Sequence, residues 1–525
     1  MTPLMGIDAF HLPGLTRLAN SGEAPATFVA QVDGDAWVRV AAAVAEGAGR
    51  LVTIWGAEDD SGTFTVCAAY AVDDGLLWVR LPVGERPSGG ARDYPDLSAL
   101  FPYAARMQRA VHDLTGLRAH GAADTRPWLN HGNWPADYFP LRKSTTGQER
   151  FESREADYAF TRVAGDGVHE IAVGPIHAGI IEPGHFRFSV VGEKVLRLEE
   201  RLGYTHRGIE RLFERTPSLA GHRVAGRIAG DSTVAFAWAY CMALEQALGT
   251  TIPSRAQWLR ALLLERERIA NHLGDLGALG NDAGFAVGLA QFARMKEDWL
   301  RLNERVFGHR YLFDAIEPGG VARDLADDKV GAMLMQCDRI EREVRSMRRI
   351  YDDHAGLQDR FARTGLLTPA MAARLGVCGL AARASGGAMD LRVDHGPAPY
   401  REIGARRSGD ERGDVAARVA LRFMEIDESL RQIRAIIAGM PGGSIAVQPD
   451  LRRAPSYGAG WIEGWRGDVL VALETGEDGA LARCHCHDPS WQNWPAIEVA
   501  IIGNIVADFP LINKSFNLCY AGHDL

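Results

Sequence analysis

The sequence predicts an α+β protein in two parts: a small N-terminal α+β domain, then a large, mainly helical-bundle domain with peripheral β-structure. Three observations predict it. Residues 1–142 are filled with β-type runs broken by turn residues, residues 143–165 are polar and read as a linker, and apolar stripes at helical spacing mark 166–525. A chain of 525 residues with 46% hydrophobic content can bury a core in each part.

Taken in order, the runs Leu51–Trp55, Phe64–Tyr70 and Leu76–Leu81 are rich in β-branched and aromatic residues, with turn signals at Asp59–Gly62 and Asp73–Gly75. The stretch Lys143–Asp157 has too few apolar residues to bury, which suits a linker. Alternation from His185 to Val195 predicts β-structure, after which the helical period takes over. Ser232–Leu244 carries no charge but reaches only about two-thirds of the roughly 20 residues that span a bilayer, so a buried helix is expected. Ser254 is placed to cap a helix through Trp258, Leu259, Leu262 and Leu263 towards His272, and Gly274 and Gly277 are expected to stop it. From Asp414, the residues Val415, Val419, Ile426, Leu430, Ile433 and Ile437 recur at three- or four-residue spacing, with Gly439 as the stop. No repeat of fixed period is present, which excludes a solenoid.

Composition excludes several functions. A net charge of −9 without a long Lys/Arg run is unsuited to a nucleic-acid partner, because phosphate binding needs concentrated positive charge. Met1–Asp8 lacks a basic region followed by an apolar core, so no secretory signal is expected and the location expected is cytoplasmic. Seven scattered cysteines suit reduced thiols. The run Cys484-His485-Cys486-His487 fits a strand, which sends the cysteines to one face and the histidines to the other. A zinc site is the alternative reading. There is no Cys-x-x-Cys series for an iron-sulfur cluster.

Three segments stand out together: Gly174-Pro175-Ile176-His177 through Glu182 to His185 and Arg187, Leu202-Gly203-Tyr204-Thr205-His206-Arg207-Gly208, and Glu463-Gly464-Trp465-Arg466-Gly467. This set resembles the shared family of energy-converting nickel-iron hydrogenase large subunits and the 49-kDa quinone-site subunit of respiratory complex I. Upstream, Tyr94-Pro95-Asp96-Leu97, Arg109 to Gly116, His131-Gly132-Asn133-Trp134 and Pro140-Leu141-Arg142-Lys143 resemble the 30-kDa complex I subunit. A fusion of the two is typical of formate hydrogenlyase-type and hydrogenase-4-type complexes.

The resemblance implies a nickel-iron site of four thiolates, a soft donor set. Here the positions of the Arg-x-Cys-Gly-x-Cys motif carry Ala225 and Ile228, and the terminal Cys-x-x-Cys positions carry Cys519 and Gly522. A nickel-iron centre is therefore expected to be absent, and the chain ending at Leu525 is expected to lack the tail such hydrogenases have removed. For the quinone site, the resemblance places the His at His177 and the Asp at Asp282, while the Tyr position falls on Gly230. Arg227 matches an Arg beside the terminal iron-sulfur cluster, with a salt bridge near Asp231 as the plainer reading. Glu182 matches a proton-relaying Glu, with a loop-stabilising role as the alternative. His206 and Arg207 are expected to brace the fold and His272 to be structural.

The expectation is a subunit of a membrane-bound complex I-like redox complex that binds no cofactor itself. Its partners would be an iron-sulfur small subunit, whose cluster lies beside a metal-free cavity, and membrane proton- or ion-translocating subunits at the inner face of the membrane. The cavity, formed by Glu182, His177, Asp282 and Arg227, would take a quinone or quinone-like acceptor. The alternative is a catalytically silent structural or coupling subunit.

Overall fold

A computed structural model describes residues 5–19, 25–47, 49–84, 92–154, 157–452 and 455–525. Residues 155–156 of the expected linker lie outside the described residues. The N-terminal part is built on a five-stranded sheet in the order Thr16–Arg17, Thr27–Gln31, Gly75–Val83, Phe64–Val72, Arg50–Glu58. All neighbours are antiparallel except Thr27–Gln31 and Gly75–Val83, which run parallel across the helix Gly34–Glu46. The expected β runs fall within these strands. Asp33 begins that helix, its carboxylate accepting the Ala36 N–H at 2.8 Å.

Both faces of this sheet are covered. The helices Gly34–Glu46 and Ala104–Thr115 bury Trp37, Val40 and Met107 in a core shared with Leu51, Ile54 and Leu77. On the opposite face Val52, Trp55, Cys67 and Trp78 pack on Trp461, Leu470 and Ala472 of a second sheet. That second sheet has the order Tyr457–Glu463, Asp468–Thr475, Leu481–His487, all antiparallel. The two parts are thus joined by a buried sheet-to-sheet seam. Ion pairs also join the two parts: Arg50 to Asp468 at 2.5 Å at this seam, and Arg106 of the helix Ala104–Thr115 to Glu200 at 3.1 Å and to Glu498 at 2.7 Å on the other side of the sheet.

Among the described residues of 121–167 there is neither helix nor strand. A three-stranded sheet then forms from Val168–Val173, His185–Val191 and Lys194–Arg201. The remainder is a helical bundle centred on Thr233–Leu248, every residue of which is buried. No helix of the described residues is long and apolar enough to cross a membrane.

Two helix expectations have different outcomes. Val415–Gly439 forms as expected, capped by Asp414 accepting the Ala417 N–H at 2.8 Å. The helix Ser254–Asp282, however, is not capped by Ser254, which follows Pro253 as its first residue and makes no side-chain cap bond, and it does not stop at Gly274 or Gly277 but runs on to Asp282. The reason is packing. A Cβ at Gly277 would lie 3.0 Å from Phe292 Cβ, and one at Gly280 would lie 2.3 Å from the Tyr351 hydroxyl. These glycines let the helices Ala286–Phe307 and Asp327–Asp353 approach closely, which outweighs their weak helix propensity.

Candidate functional site

The loop between the strands Val168–Val173 and His185–Val191 is pinched shut at its base. Gly174 has φ +85°, and a Cβ there would sit 2.1 Å from the Gly184 carbonyl oxygen, while Gly184 N–H donates to the Pro175 carbonyl at 2.9 Å. His177 is held inside this loop by an Nδ1 bond to the Pro175 carbonyl at 3.1 Å. Its ring lies 5.4 Å from that of Phe186 and 6.1 Å from that of Tyr520. The tautomer that donates from Nδ1 leaves Nε2 as a lone-pair acceptor. Nε2 is buried and makes no hydrogen bond, and the Tyr520 hydroxyl is likewise buried, with the Asn513 side chain as a hydrogen-bonding neighbour that lowers its pKa. Burial pushes the Tyr520 phenol above its ordinary value, so it stays a donor. On the same loop Ile176 and Ile180 are 84% and 99% exposed, an apolar surface.

Glu182, on the same loop, accepts the Ala521 N–H at 2.9 Å and so ties the loop to the C-terminal helix Ala521–Asp524. His177 and Glu182 therefore converge on Tyr520 and Ala521. Asp282 ends the long helix with its side chain exposed; partial desolvation raises its carboxyl pKa, and Lys514 opposes that shift. Arg227 is half-exposed and forms a two-pronged bond to Asp314 at 2.6 and 2.9 Å, with Phe313 5.2 Å beneath its guanidinium. The salt bridge expected near Asp231 is a different one. Asp231 pairs with Arg466 at 2.5 and 2.9 Å, while Arg227 is taken by Asp314. Gly230 has open space over its Cα up to Phe313, 3.7 Å from a notional Cβ.

The segments that carry the degenerate metal positions are still held together. Arg207 donates to the Ile228 carbonyl at 2.8 Å and the Ala521 carbonyl at 3.2 Å, and its N–H donates to the Leu525 carbonyl at 2.7 Å. His206 Nδ1 bonds the Asp524 carbonyl at 2.8 Å, so both residues brace the C-terminus. Cys519 Sγ accepts the Gly522 N–H at 3.0 Å, and burial drives its thiol well above the ordinary value.

Against proteins of known sequence and structure, residues 30–151 match the model of the respiratory-chain NADH dehydrogenase 30-kDa subunit, and residues 282–459 match that of the 49-kDa subunit. Formate hydrogenlyase subunit 5 of Escherichia coli K12 is 30% identical over 88% of this chain and 82% of its own length. Hydrogenase-4 component G of the same organism is 31% identical over 83% of this chain and 76% of its own. A chain in the solved structure of the membrane-bound sulfane sulfur reductase, an archaeal respiratory membrane complex, superposes with a TM-score of 0.65 at 25% identity. That match covers 69% of this chain and all of the other. This chain belongs to the family of fused 30-kDa and 49-kDa complex I-type subunits.

Within that family the nickel-iron centre implied by the hydrogenase relatives can be tested against the residues present. They do not fit it. Ala225 and Ile228 are buried apolar side chains with no donor atom. At Gly522 a Cβ would lie 2.4 Å from Asp488 Oδ2, so a carboxylate fills the space of a fourth thiolate. Among the described residues no group of three or more His, Cys, Asp or Glu is arranged to hold a metal ion. Instead this niche holds the Asp231–Arg466 ion pair, Cys519, and Asp488, whose Oδ2 is buried without a partner. Burial raises the Asp488 pKa, with Arg466 opposing.

The Cys484–His487 run lies in the strand Leu481–His487, and its two faces separate as alternation requires. Both cysteines enter the main core. His485 instead bridges the seam: Nε2 meets Thr53 Oγ1 at 2.9 Å, Nδ1 meets Glu210 at 2.5 Å, and the ring stacks on Trp55 at 4.8 Å. Burial alone would raise the Glu210 pKa, but Arg483 and His485 hold it at about 2. His272, fully buried, bonds Glu425 at 2.8 Å. Sequence reasoning missed Tyr520, Asp488 and the Thr53–His485–Glu210 chain. Tyr520 was open to notice as a phenol adjoining the degenerate Cys519, whereas the other two depend on contacts remote in sequence.

Proposed function

We propose that this chain is a subunit of a membrane-bound, complex I-like oxidoreductase that passes electrons from a partner's iron-sulfur cluster to a quinone-like acceptor at the His177 loop. The carrying observation is His177 Nε2, buried and unbonded, with the Tyr520 ring 6.1 Å from its own. Leaving such a group unmet costs about 1–3 kcal/mol, which a bound ligand would recover.

The chemistry of the pair suits a carbonyl acceptor that gains protons as it is reduced. The Tyr520 O–H donates to a carbonyl oxygen. His177 Nε2 accepts from the hydroxyl of the reduced form. Asp282, with its raised carboxyl pKa, serves as a proton-holding group near the helix Phe509–Phe516, and Glu182 fixes the loop against the C-terminal helix. Arg227 is the fixed cation offered to the partner's cluster, where it would favour the reduced state. Attachment is peripheral, at the cytoplasmic face, through the iron-sulfur small subunit and ion-translocating membrane subunits. Reoxidation of the reduced cluster by a short-chain quinone in the purified complex tests this, with His177→Gln and Tyr520→Phe each expected to slow it by about tenfold or more. Unaltered rates in both variants would refute the site.

A further inference from the structure

A cavity of about 430 Å³ lies at the seam between the two parts of the chain and shares no lining residue with the His177 loop. The N-terminal side contributes Arg50, Leu100, Phe101 and Tyr103, and the larger part contributes Arg374 and Met389. Such a volume falls in the usual range for small-molecule sites, and seams between domains are a usual place for them.

The two carboxylates in its wall already accept hydrogen bonds. Asp468 Oδ2 receives Arg50 Nη2 at 2.5 Å and Trp461 Nε1 at 2.8 Å. Glu463 receives Arg383 at 2.7 Å through one oxygen and the Leu391 N–H at 3.2 Å through the other. The donors are not used. Arg50 Nη1 is buried with no hydrogen-bond partner. The Tyr103 oxygen accepts the Leu51 N–H at 3.2 Å, and its own proton meets no acceptor among the described residues. Gly376 fixes this ring, since a Cβ there would lie 2.3 Å from Tyr103 Cζ.

Charge points the same way. Arg50 is paired with Asp468, and Glu463 shares Arg383 with Glu425 and Asp390, while the exposed guanidinium of Arg374 forms no ion pair among the described residues. Spare donors, one uncompensated cation and an apolar floor match a ligand with an anionic acceptor group on an apolar body. We propose that the seam cavity binds a small amphipathic monocarboxylate, its carboxylate bonded by Arg50 and Tyr103 and its body lying on Leu100, Phe101 and Met389.

Calorimetric titration of the full-length chain with octanoate and with 4-phenylbutyrate tests the proposal, with octanamide as the uncharged control. The expected result is saturable one-to-one binding of at least one carboxylate and affinity for octanamide weaker by about tenfold or more. Tyr103→Phe, which keeps the ring against Gly376, should weaken the carboxylate by about tenfold. Met389→Trp, which fills the cavity without touching the Arg50–Asp468 pair, should abolish binding. Absence of saturable binding by both carboxylates at millimolar concentration overturns the proposal. So does equal binding of octanamide, or unchanged binding by Tyr103→Phe. Should Met389→Trp fail to fold, the tyrosine variant alone decides.

Discussion

At the scale of single residues, Gly522 decides what can be rebuilt. Its notional Cβ lies 2.4 Å from Asp488 Oδ2 and 3.1 Å from Cys519 Sγ, so a restored cysteine collides with a carboxylate before it can bind anything. Gly522→Cys should therefore destabilise the chain by about 1–3 kcal/mol in urea denaturation and take up no nickel when loaded with the metal. The sequence revealed that Ala225, Ile228 and Gly522 replace ligands, because a missing donor atom is visible in one letter. It did not reveal what fills the niche, since Asp488 comes from a strand end remote from all three in the chain. Similarly, the lost phenol at Gly230 was legible, whereas Tyr520 meeting His177 depends on how the loop and the C-terminus cross.

A second residue-scale prediction concerns Glu210. Its carboxyl is held at about 2 in the folded chain against an ordinary value of 4.5, so its contribution to stability is full above about 4.5 and is lost as pH falls towards 2. The gap in urea midpoint between the wild type and Glu210→Gln should be wide at pH 6 and should narrow at pH 3. A gap independent of pH would contradict the assignment of Arg483 and His485 as its stabilising partners.

At the scale of elements, the long helix Ser254–Asp282 carries the main correction to the sequence reading. Periodicity located its start and apolar stripe, but glycine means a stop only where the chain turns away, and here it means close approach. Gly280→Ala separates the two meanings. Helix propensity favours Ala by about 1 kcal/mol, while the 2.3 Å approach to the Tyr351 hydroxyl imposes overpacking of about 1–3 kcal/mol. Tyr351 donates to the Leu276 carbonyl at 2.7 Å, so its ring cannot swing aside cheaply. Thermal unfolding should therefore show net destabilisation, whereas a more stable variant would show the glycine to be a mere helix weakener. The strand Leu481–His487 was read correctly from alternation alone, because a period of two fixes which side chains share a face.

At the scale of the molecule, the two parts are packed together through a sheet whose edge strand Arg50–Glu58 is buried on both faces, and an ion pair from Arg50 to Asp468 closes its margin. Arg106 is central to this. It lies between Glu200 and Glu498, and burial together with Glu498 already raises the Glu200 pKa well above the ordinary value. Arg106→Met should cost about 3–5 kcal/mol, seen as a lower midpoint of one unfolding transition. Two separated transitions in the wild type would mean that the seam does not couple the parts. The two-part α+β class followed from patterning, yet the seam did not, because alternating and continuous apolar runs do not say which surface covers them.

The central claim is that a chain of this family without nickel ligands presents His177 and Tyr520 to a quinone-like acceptor. Its most direct test is stopped-flow reoxidation of the partner's reduced iron-sulfur cluster by a short-chain quinone, in purified complexes carrying wild-type, His177→Gln or Tyr520→Phe chains at equal assembly. The account predicts rapid quinone-dependent reoxidation in the wild type, slowed by about tenfold or more in each variant. Reoxidation at the wild-type rate in both variants would contradict it.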